Sequence, residues 1–219
     1  MRSGVACDDR AMSDERLAWI YTATTPDELR DRYDVWAADY DVDLDALGWQ
    51  APAAGAARCA AFLSAGGEVL DAGCGTGLVG AALAAGGVSN VVGFDLSPEM
   101  LRRAGATGAY RELHHGSLLE PLPFAPGRFA AVVSVGVFTY GHVGPEAFSG
   151  LIDVVKPGGH VTLTFRADAI DALGYAAAAQ RLERKGRWQV VEPGVPESLL
   201  VEDGADVRLI VRTWAIPIS

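Results

Sequence analysis

Two carboxylates and a run of glycines carry the first chemistry in this sequence. Asp71 closes a short apolar run, Val69-Leu70, and the turn Gly73-Cys74-Gly75-Thr76-Gly77 follows it. Glycines permit a turn too sharp for residues with a Cβ, and a bare backbone lets a ligand press against it. The amide N–H groups that open the next helix then face that ligand. A second acid, Asp95, closes another apolar run about 20 residues further on. A carboxylate there can accept hydrogen bonds from both hydroxyls of a ribose. Leu96, next in the chain, suits an adenine face.

The class of ligand follows from the sign of charge. Gly75-x-Gly77-x-x-Gly80 satisfies the dinucleotide fingerprint, a weak signal on its own. The fuller string is Asp-x-Gly-x-Gly-x-Gly, with the acid at the strand end. A carboxylate facing a pyrophosphate is repulsive, whereas one facing an α-ammonium or sulfonium is attractive. This favours S-adenosylmethionine (SAM) over NAD. An NAD(P)-dependent oxidoreductase is the alternative; it calls for a pyrophosphate-type turn and a Tyr-x-x-x-Lys or its equivalent, and the chain shows neither clearly. A SAM-binding protein without transferase activity is the other alternative.

The elements that position these groups alternate between strand and helix, as in a doubly wound sheet. Thr25-Pro26 with Glu28 forms a capping box for a helix over residues 25 to 40. Its Leu29, Tyr33, Trp36, Ala37 and Tyr40 recur at helical spacing. Residues 41 to 50 read as an acidic connector and Ala51 to Ala65 as a helix. Strand, glycine turn and helix span residues 68 to 85. A second strand ends at Asp95, and Ser97-Pro98 starts a helix carrying Met100. A third strand is expected near Tyr110 to His114, before Ser117-Leu118. Phe129 to Val135 reads as a buried parallel strand. Its end at Val135-Gly136 lies at a topological switch point, so Phe138 to His142 are expected to line a site. A helix over Pro145 to Val155, a stop at Lys156-Pro157-Gly158-Gly159, a strand over His160 to Arg166 and a helix over Asp168 to Gln180 follow. Trp188 to Val191 and Val207 to Trp214 read as strands joined by a long proline-bearing link.

The segments VLDAGCGTG, VGFDLSPEML, FAAVVSVGVFTYGHV and VVKPGG resemble successive motifs of a class I SAM-dependent methyltransferase. The upstream YDVWAADYDVDLDALGWQAP is similar to the Williams–Beuren-region methyltransferase-like family. The resemblance covers residues 26 to 166. It implies an α/β, doubly wound, mostly parallel seven-stranded sheet of the Rossmann-like methyltransferase kind, with an N-terminal helical lid. It also implies methyl transfer to an O, N, S or C atom, leaving S-adenosylhomocysteine. Tyr33 and Tyr40 are expected near the methionine end of the cofactor. Asp71, Gly73, Cys74, Gly75, Gly77, Asp95, Leu96 and Met100 are expected around its middle and ribose, with Ser117, Leu118, Val135 and Gly136 completing the shell. Ser117 stands where the family usually has an acid, and Ala130 replaces another. Cys74 reads as a small filler of the turn rather than a nucleophile.

His142 is the candidate base, with the intrinsic pKa range for the task. An equally concrete role is to fix the TYGHV loop through backbone hydrogen bonds. Tyr140 is the second candidate, as an orienter of the acceptor or an aromatic wall. His114 and His115, adjacent in a strand, read as structural or exposed.

A chain of 219 residues, half of them apolar, suits one domain. Residues 1–24 are expected to be disordered or loosely attached, and 25–219 to form the methyltransferase domain. The formal charge of -10 argues against nonspecific nucleic-acid binding, which needs clustered Lys and Arg. A small-molecule acceptor is therefore expected, with no nucleic-acid partner and no membrane partner; monomer and homodimer remain open. Three cysteines are too few for a disulfide framework or a zinc site, and the simplest compartment is a reducing cytoplasm.

Overall fold

A computed structural model describes residues 5–202 and 204–218. The chain opens with four helices, α1 (Val5–Tyr21), α2 (Pro26–Trp36), α3 (Tyr40–Ala46) and α4 (Ala51–Phe62). The alternating part runs β1 (Val69–Ala72), α5 (Leu78–Ala85), β2 (Val91–Asp95), α6 (Pro98–Ala106), β3 (Glu112–His115), β4 (Phe129–Phe138), α7 (Phe148–Asp153) and β5 (Val155–Arg166). It finishes with α8 (Ala169–Ala172), α9 (Tyr175–Arg184), β6 (Gln189–Glu192), β7 (Pro196–Glu202) and β8 (Ala205–Ala215).

The sheet order is β3-β2-β1-β4-β5-β8-β6, with β7 also paired to β8. β1 to β5 pair in parallel and β8 runs antiparallel to β5. β1 lies between β2 and β4, so the chain reverses its winding there and leaves a crevice at the strand ends. This is the Rossmann-like methyltransferase fold. The sheet is seven positions wide but has eight strands. β6 pairs with Thr213 to Ala215 and β7 with Ala205 to Ile210, so the two share one edge of β8 in tandem. The long link between residues 192 and 205 is thus mostly strand. Gly194, at φ 66, turns the chain between the two pieces where a Cβ would collide with the Val211 carbonyl.

The local signals mostly act as the sequence suggests. Thr25 Oγ1 accepts from Glu28 N at 3.1 Å, and Ser97 Oγ accepts from Met100 N at 3.0 Å, so both helices begin at their caps. The Glu28 carboxylate reaches back to the Thr24 N–H at 2.9 Å rather than to Thr25.

Several expectations are corrected. Residues 41 to 50 are not a plain connector, because α3 occupies most of them. The helix expected over residues 25 to 40 ends at Trp36. Of the segment 1–24, expected to be disordered or loosely attached, residues 1–4 lie outside the described residues, and Leu17 and Ile20 of α1 are buried. One carboxylate joins these helices. Asp43 accepts from Ser13 Oγ at 3.1 Å, from Arg16 at 2.7 Å and from Trp36 Nε1 at 2.7 Å, tying α1, α2 and α3 together. β4 continues through Phe138. The helix expected from Pro145 is a 3-10 turn followed by the short α7, and Lys156 to Gly159 fall within β5. Gly174, at φ 76, divides the helix expected over 168 to 180 into α8 and α9.

The core has two parts. One contains Phe138, Phe148, Phe165, Tyr175 and the stacked pair Trp188–Trp214, with ring centroids 4.4 Å apart. The other joins Leu17, Ile20, Trp36, Leu47, Cys59 and Val133, so the N-terminal helices share a core with the sheet. Among the described residues no helix is long and apolar enough to cross a membrane.

Candidate functional site

A cavity of about 380 Å³ opens at the C-terminal ends of β1, β2 and β4, beneath α2 and α3. That size falls in the range of small-molecule sites. Its floor is the glycine turn. Gly75, at φ 54, would meet nothing within 4 Å if it carried a Cβ, so its backbone is bare toward open space. Gly73, at φ 80, also lines the cavity, but a Cβ there would collide with Val137.

Asp95 lines the same space. Its Oδ2 accepts from Gly75 N at 2.8 Å and its Oδ1 from Ser97 N at 2.9 Å. Burial pushes the carboxyl above the usual range, and the backbone N–H groups oppose that shift. Each carboxylate oxygen keeps acceptor capacity for a ligand hydroxyl. Leu96, Met100, Leu118 and Val135 supply apolar wall, and Ser117 and Gly136 are also at the lining. Ser117 Oγ accepts from Leu119 N at 3.2 Å, so it shapes its own turn.

The roof and far end come from the N-terminal helices and the loop after β4. Tyr33, Tyr40 and His142 line the cavity. Tyr33 Oη and His142 Nε2 are 2.6 Å apart, and His142 Nδ1 is 2.6 Å from the Tyr140 carbonyl. A carbonyl only accepts, so Nδ1 carries the proton and Nε2 accepts from the Tyr33 hydroxyl. Burial lowers His142 to about 4, with the Tyr140 carbonyl opposing. The ring is therefore neutral, and its Nε2 lone pair is occupied by the Tyr33 hydroxyl at the cavity lining. The Tyr140 contact is the loop anchor expected of His142.

Four of the sequence candidates lie away from the cavity lining. Asp71 is fully buried behind the turn. Its Oδ2 accepts from Tyr110 Oη at 2.7 Å, while Oδ1 has no partner. Burial raises its carboxyl to about 7, and the Tyr110 hydroxyl opposes that shift. Cys74 is buried and burial raises its thiol, which fits the filler role. Gly77, at φ 101, caps α5 where a Cβ would press on Ala104, Thr107 and Tyr110. Tyr140 turns outward: its hydroxyl is 3.4 Å from the Asp168 carbonyl, and its ring lies under Arg166. Phe138, expected at the site, is in the aromatic core.

Sequence reasoning missed Tyr110. Its hydroxyl also accepts from Gly80 N at 3.1 Å, joining β1 to α5. It missed the lid clasps as well. Asp34 on α2 accepts from Ser97 Oγ and, at 3.2 Å, from Glu99 N; Asp41 on α3 accepts from Thr76 Oγ1 at 2.5 Å. Both acids lie off the apolar stripe, where sequence shows only a solvated face.

Residues 69–159 match the model of a methyltransferase domain. The human methyltransferase-like protein 27 is 42% identical over 166 residues, 72% of this chain and 66% of that protein. The Saccharomyces cerevisiae 18S rRNA (guanine(1575)-N(7))-methyltransferase is 38% identical over 76 residues, 33% of this chain and 26% of that protein. The chain thus spans about two-thirds of the human relative's length and about a quarter of the yeast one's. Among solved structures, the Haloferax volcanii complex of the Trm112 methyltransferase activator with a methyltransferase superposes with a TM-score of 0.64 at 22% identity, covering 84% of this chain and 97% of that one. The [4+2]-cyclase SpnF superposes with a TM-score of 0.67 at 15% identity, covering 90% and 98%. These likenesses carry the fold.

Proposed function

The chain belongs to the class I SAM-dependent methyltransferases, and on that premise we propose that it methylates a proton-bearing oxygen or nitrogen of a small molecule, with His142 as the base. The residues present fit the cofactor. Asp95 suits ribose hydroxyls, the bare Gly75 backbone suits close approach, and the faces of Tyr33 and Tyr40 suit a cationic centre. Bound there, SAM supplies a methyl carbon activated by its sulfonium. The chain's own work is alignment, exclusion of water under α2 and α3, and removal of the acceptor's proton. Alignment can contribute roughly 7–11 kcal/mol. His142 Nε2 takes the proton once the Tyr33 hydroxyl yields its place there, and the Tyr140 carbonyl holds the tautomer that keeps this nitrogen unprotonated. The observation that carries the reading is the Tyr33–His142 contact at 2.6 Å, a neutral imidazole lone pair held at the cavity wall.

A small acceptor is supported by the cavity of about 380 Å³ beside α2 and α3 and the formal charge of -10. The yeast relative acts, by its name, on an rRNA guanine, and its match covers only 33% of this chain. Free, buried Cys59 and Cys74 fit a reducing compartment, the cytoplasm.

The test is transfer of labelled methyl from SAM to fractionated metabolite pools and, in parallel, to total RNA. Transfer to a small molecule that His142→Gln slows supports the reading. Label appearing in RNA alone would overturn the acceptor class. SAM binding with no transfer to any pool would favour a cofactor-binding protein without transferase activity.

A further inference from the structure

The tripeptide Tyr-Asp-Val occurs twice, at 33–35 on α2 and at 40–42 on α3. Each copy divides the same three ways. Tyr33 and Tyr40 line the large cavity, and Val35 and Val42 are exposed. The aspartates between them reach the segments that carry Asp95. Asp34 accepts from Ser97 Oγ and, at 3.2 Å, from Glu99 N, while Asp41 accepts from Thr76 Oγ1 at 2.5 Å. Asp95 Oδ1 accepts from Ser97 N at 2.9 Å and its Oδ2 from Gly75 N, the neighbour of Thr76, at 2.8 Å. Each lid acid therefore grips the residue that donates to one Asp95 oxygen, or the residue beside it. Ser97 and Thr76 are both buried. The Ser97 hydroxyl has one proton, which goes to Asp34, and its lone pair takes Met100 N at 3.0 Å. Pro98 has no N–H, so Glu99 N is the first free amide of α6, a position that favours a carboxylate.

We propose that Asp34 and Asp41 are positioning residues for the methyl donor: they hold the lid to the two segments that aim Asp95, so that lid closure and donor binding strengthen each other. This rests on the donor assignment alone and needs neither the acceptor class nor His142 as base. A donor held on Asp95 steadies Ser97 and the glycine turn, and these steady the lid. The clasped lid in turn keeps Tyr33 and Tyr40 against the donor. The coupling is reciprocal, because whatever closure adds to donor affinity, the donor adds to closure. A broken clasp leaves the tyrosines on an unheld lid, so the effect falls on the rate at which the donor leaves.

The test follows labelled S-adenosylhomocysteine leaving the full chain when chased with unlabelled ligand. Asp34→Ala and Asp41→Ala are each expected to speed dissociation roughly threefold to tenfold, with association little changed. Asp34→Asn and Asp41→Asn keep an accepting oxygen and should recover most of that loss. Thr76→Val approaches the second clasp from its other side; it should match Asp41→Ala, and the two together should dissociate no faster than either alone. Asp34→Ala should add nothing in an Asp95→Ala background. Dissociation at the native rate in the Ala variants would overturn the proposal, as would no recovery with Asn. Full added loss in either double variant would overturn it too, because the acids would then act elsewhere. Failure of the native protein to bind S-adenosylhomocysteine would instead sink the donor assignment itself.

Discussion

The hydroxyl of Tyr33, on α2, donates to Nε2 of His142, in the loop after β4, across 2.6 Å and 109 positions of sequence. A lid residue therefore occupies the lone pair that the proposed chemistry needs. Tyr33 must give up that contact when an acceptor takes it.

His142→Gln keeps a side chain that can accept from Tyr33 but cannot take up a proton. Its turnover is expected to fall about 10²- to 10⁴-fold with a hydroxyl acceptor. S-adenosylhomocysteine affinity, read by calorimetry, should stay within a fewfold. Because burial lowers the native ring to about 4, the native rate should show no histidine inflection between pH 6 and 8. Unchanged turnover in the variant would leave His142 as a loop anchor only.

Asp95→Ala removes the acceptor pair at the ribose position and frees Gly75 N and Ser97 N. Charge-assisted hydrogen bonds are worth about 1.5–3 kcal/mol each, so S-adenosylhomocysteine binding should weaken by about 10²-fold. NADH should not bind to either form. Calorimetry on both proteins decides it, and NADH binding without S-adenosylhomocysteine binding would overturn the cofactor assignment.

Two glycines in one motif should fail differently. A Cβ at Gly75 enters open space, so Gly75→Ala costs about 1–2 kcal/mol of left-handed backbone strain and obstructs the cofactor's approach. A Cβ at Gly80 collides with the Tyr110 ring, so Gly80→Ala should destabilise by about 1–3 kcal/mol through overpacking. Urea unfolding beside ligand titration separates the two. The expected pattern is a larger binding loss for Gly75→Ala and a larger stability loss for Gly80→Ala.

Asp71 and His142 should pull stability in opposite directions with pH. The Asp71 carboxyl is raised from 3.8 to about 7, so its contribution is full below pH 3.8 and is lost as pH rises through 7. His142 is lowered from 6.5 to about 4, so its contribution is full above pH 6.5 and is lost as pH falls through 4. The native protein hides much of this by cancellation. Asp71→Asn should gain melting temperature relative to native as pH rises from 4 to 8, and His142→Gln should gain it as pH falls over the same range. Parallel melting curves for all three proteins would contradict both assignments.

What the sequence made legible was local. β1, the glycine turn and α5 fall where Asp71, the glycines and the alanines put them, because turn, cap and apolar run act over a few residues. The α6 start at Ser97-Pro98 is legible for the same reason. What escaped depended on distant partners. β7 carries proline and acids and is a strand only because β8 pairs with it. Asp43 reads as a solvated acid until Ser13, Arg16 and Trp36 converge on it. The hydrogen bond that Asp71 accepts from Tyr110, 39 positions away, is likewise invisible in the sequence. Most residues of the cavity lining were therefore readable as a group, whereas the contact between Tyr33 and His142 was not.

The glycine turn, Asp95 and His142 sit in residues 69–159, the stretch that matches a methyltransferase domain, while Tyr33 and Tyr40 of the same cavity stand upstream of it. The wall behind His142 draws instead on Tyr21, Trp36 and Trp49 upstream and on Thr164, Leu200 and Leu209 downstream. The two flanks are stitched together, since Gln50 N donates to the Leu199 carbonyl and Val201 N to the Leu47 carbonyl, each at 2.9 Å. The part of the fold outside residues 69–159 is thus built from both flanks at once, and a change in one flank reaches the other through these two hydrogen bonds.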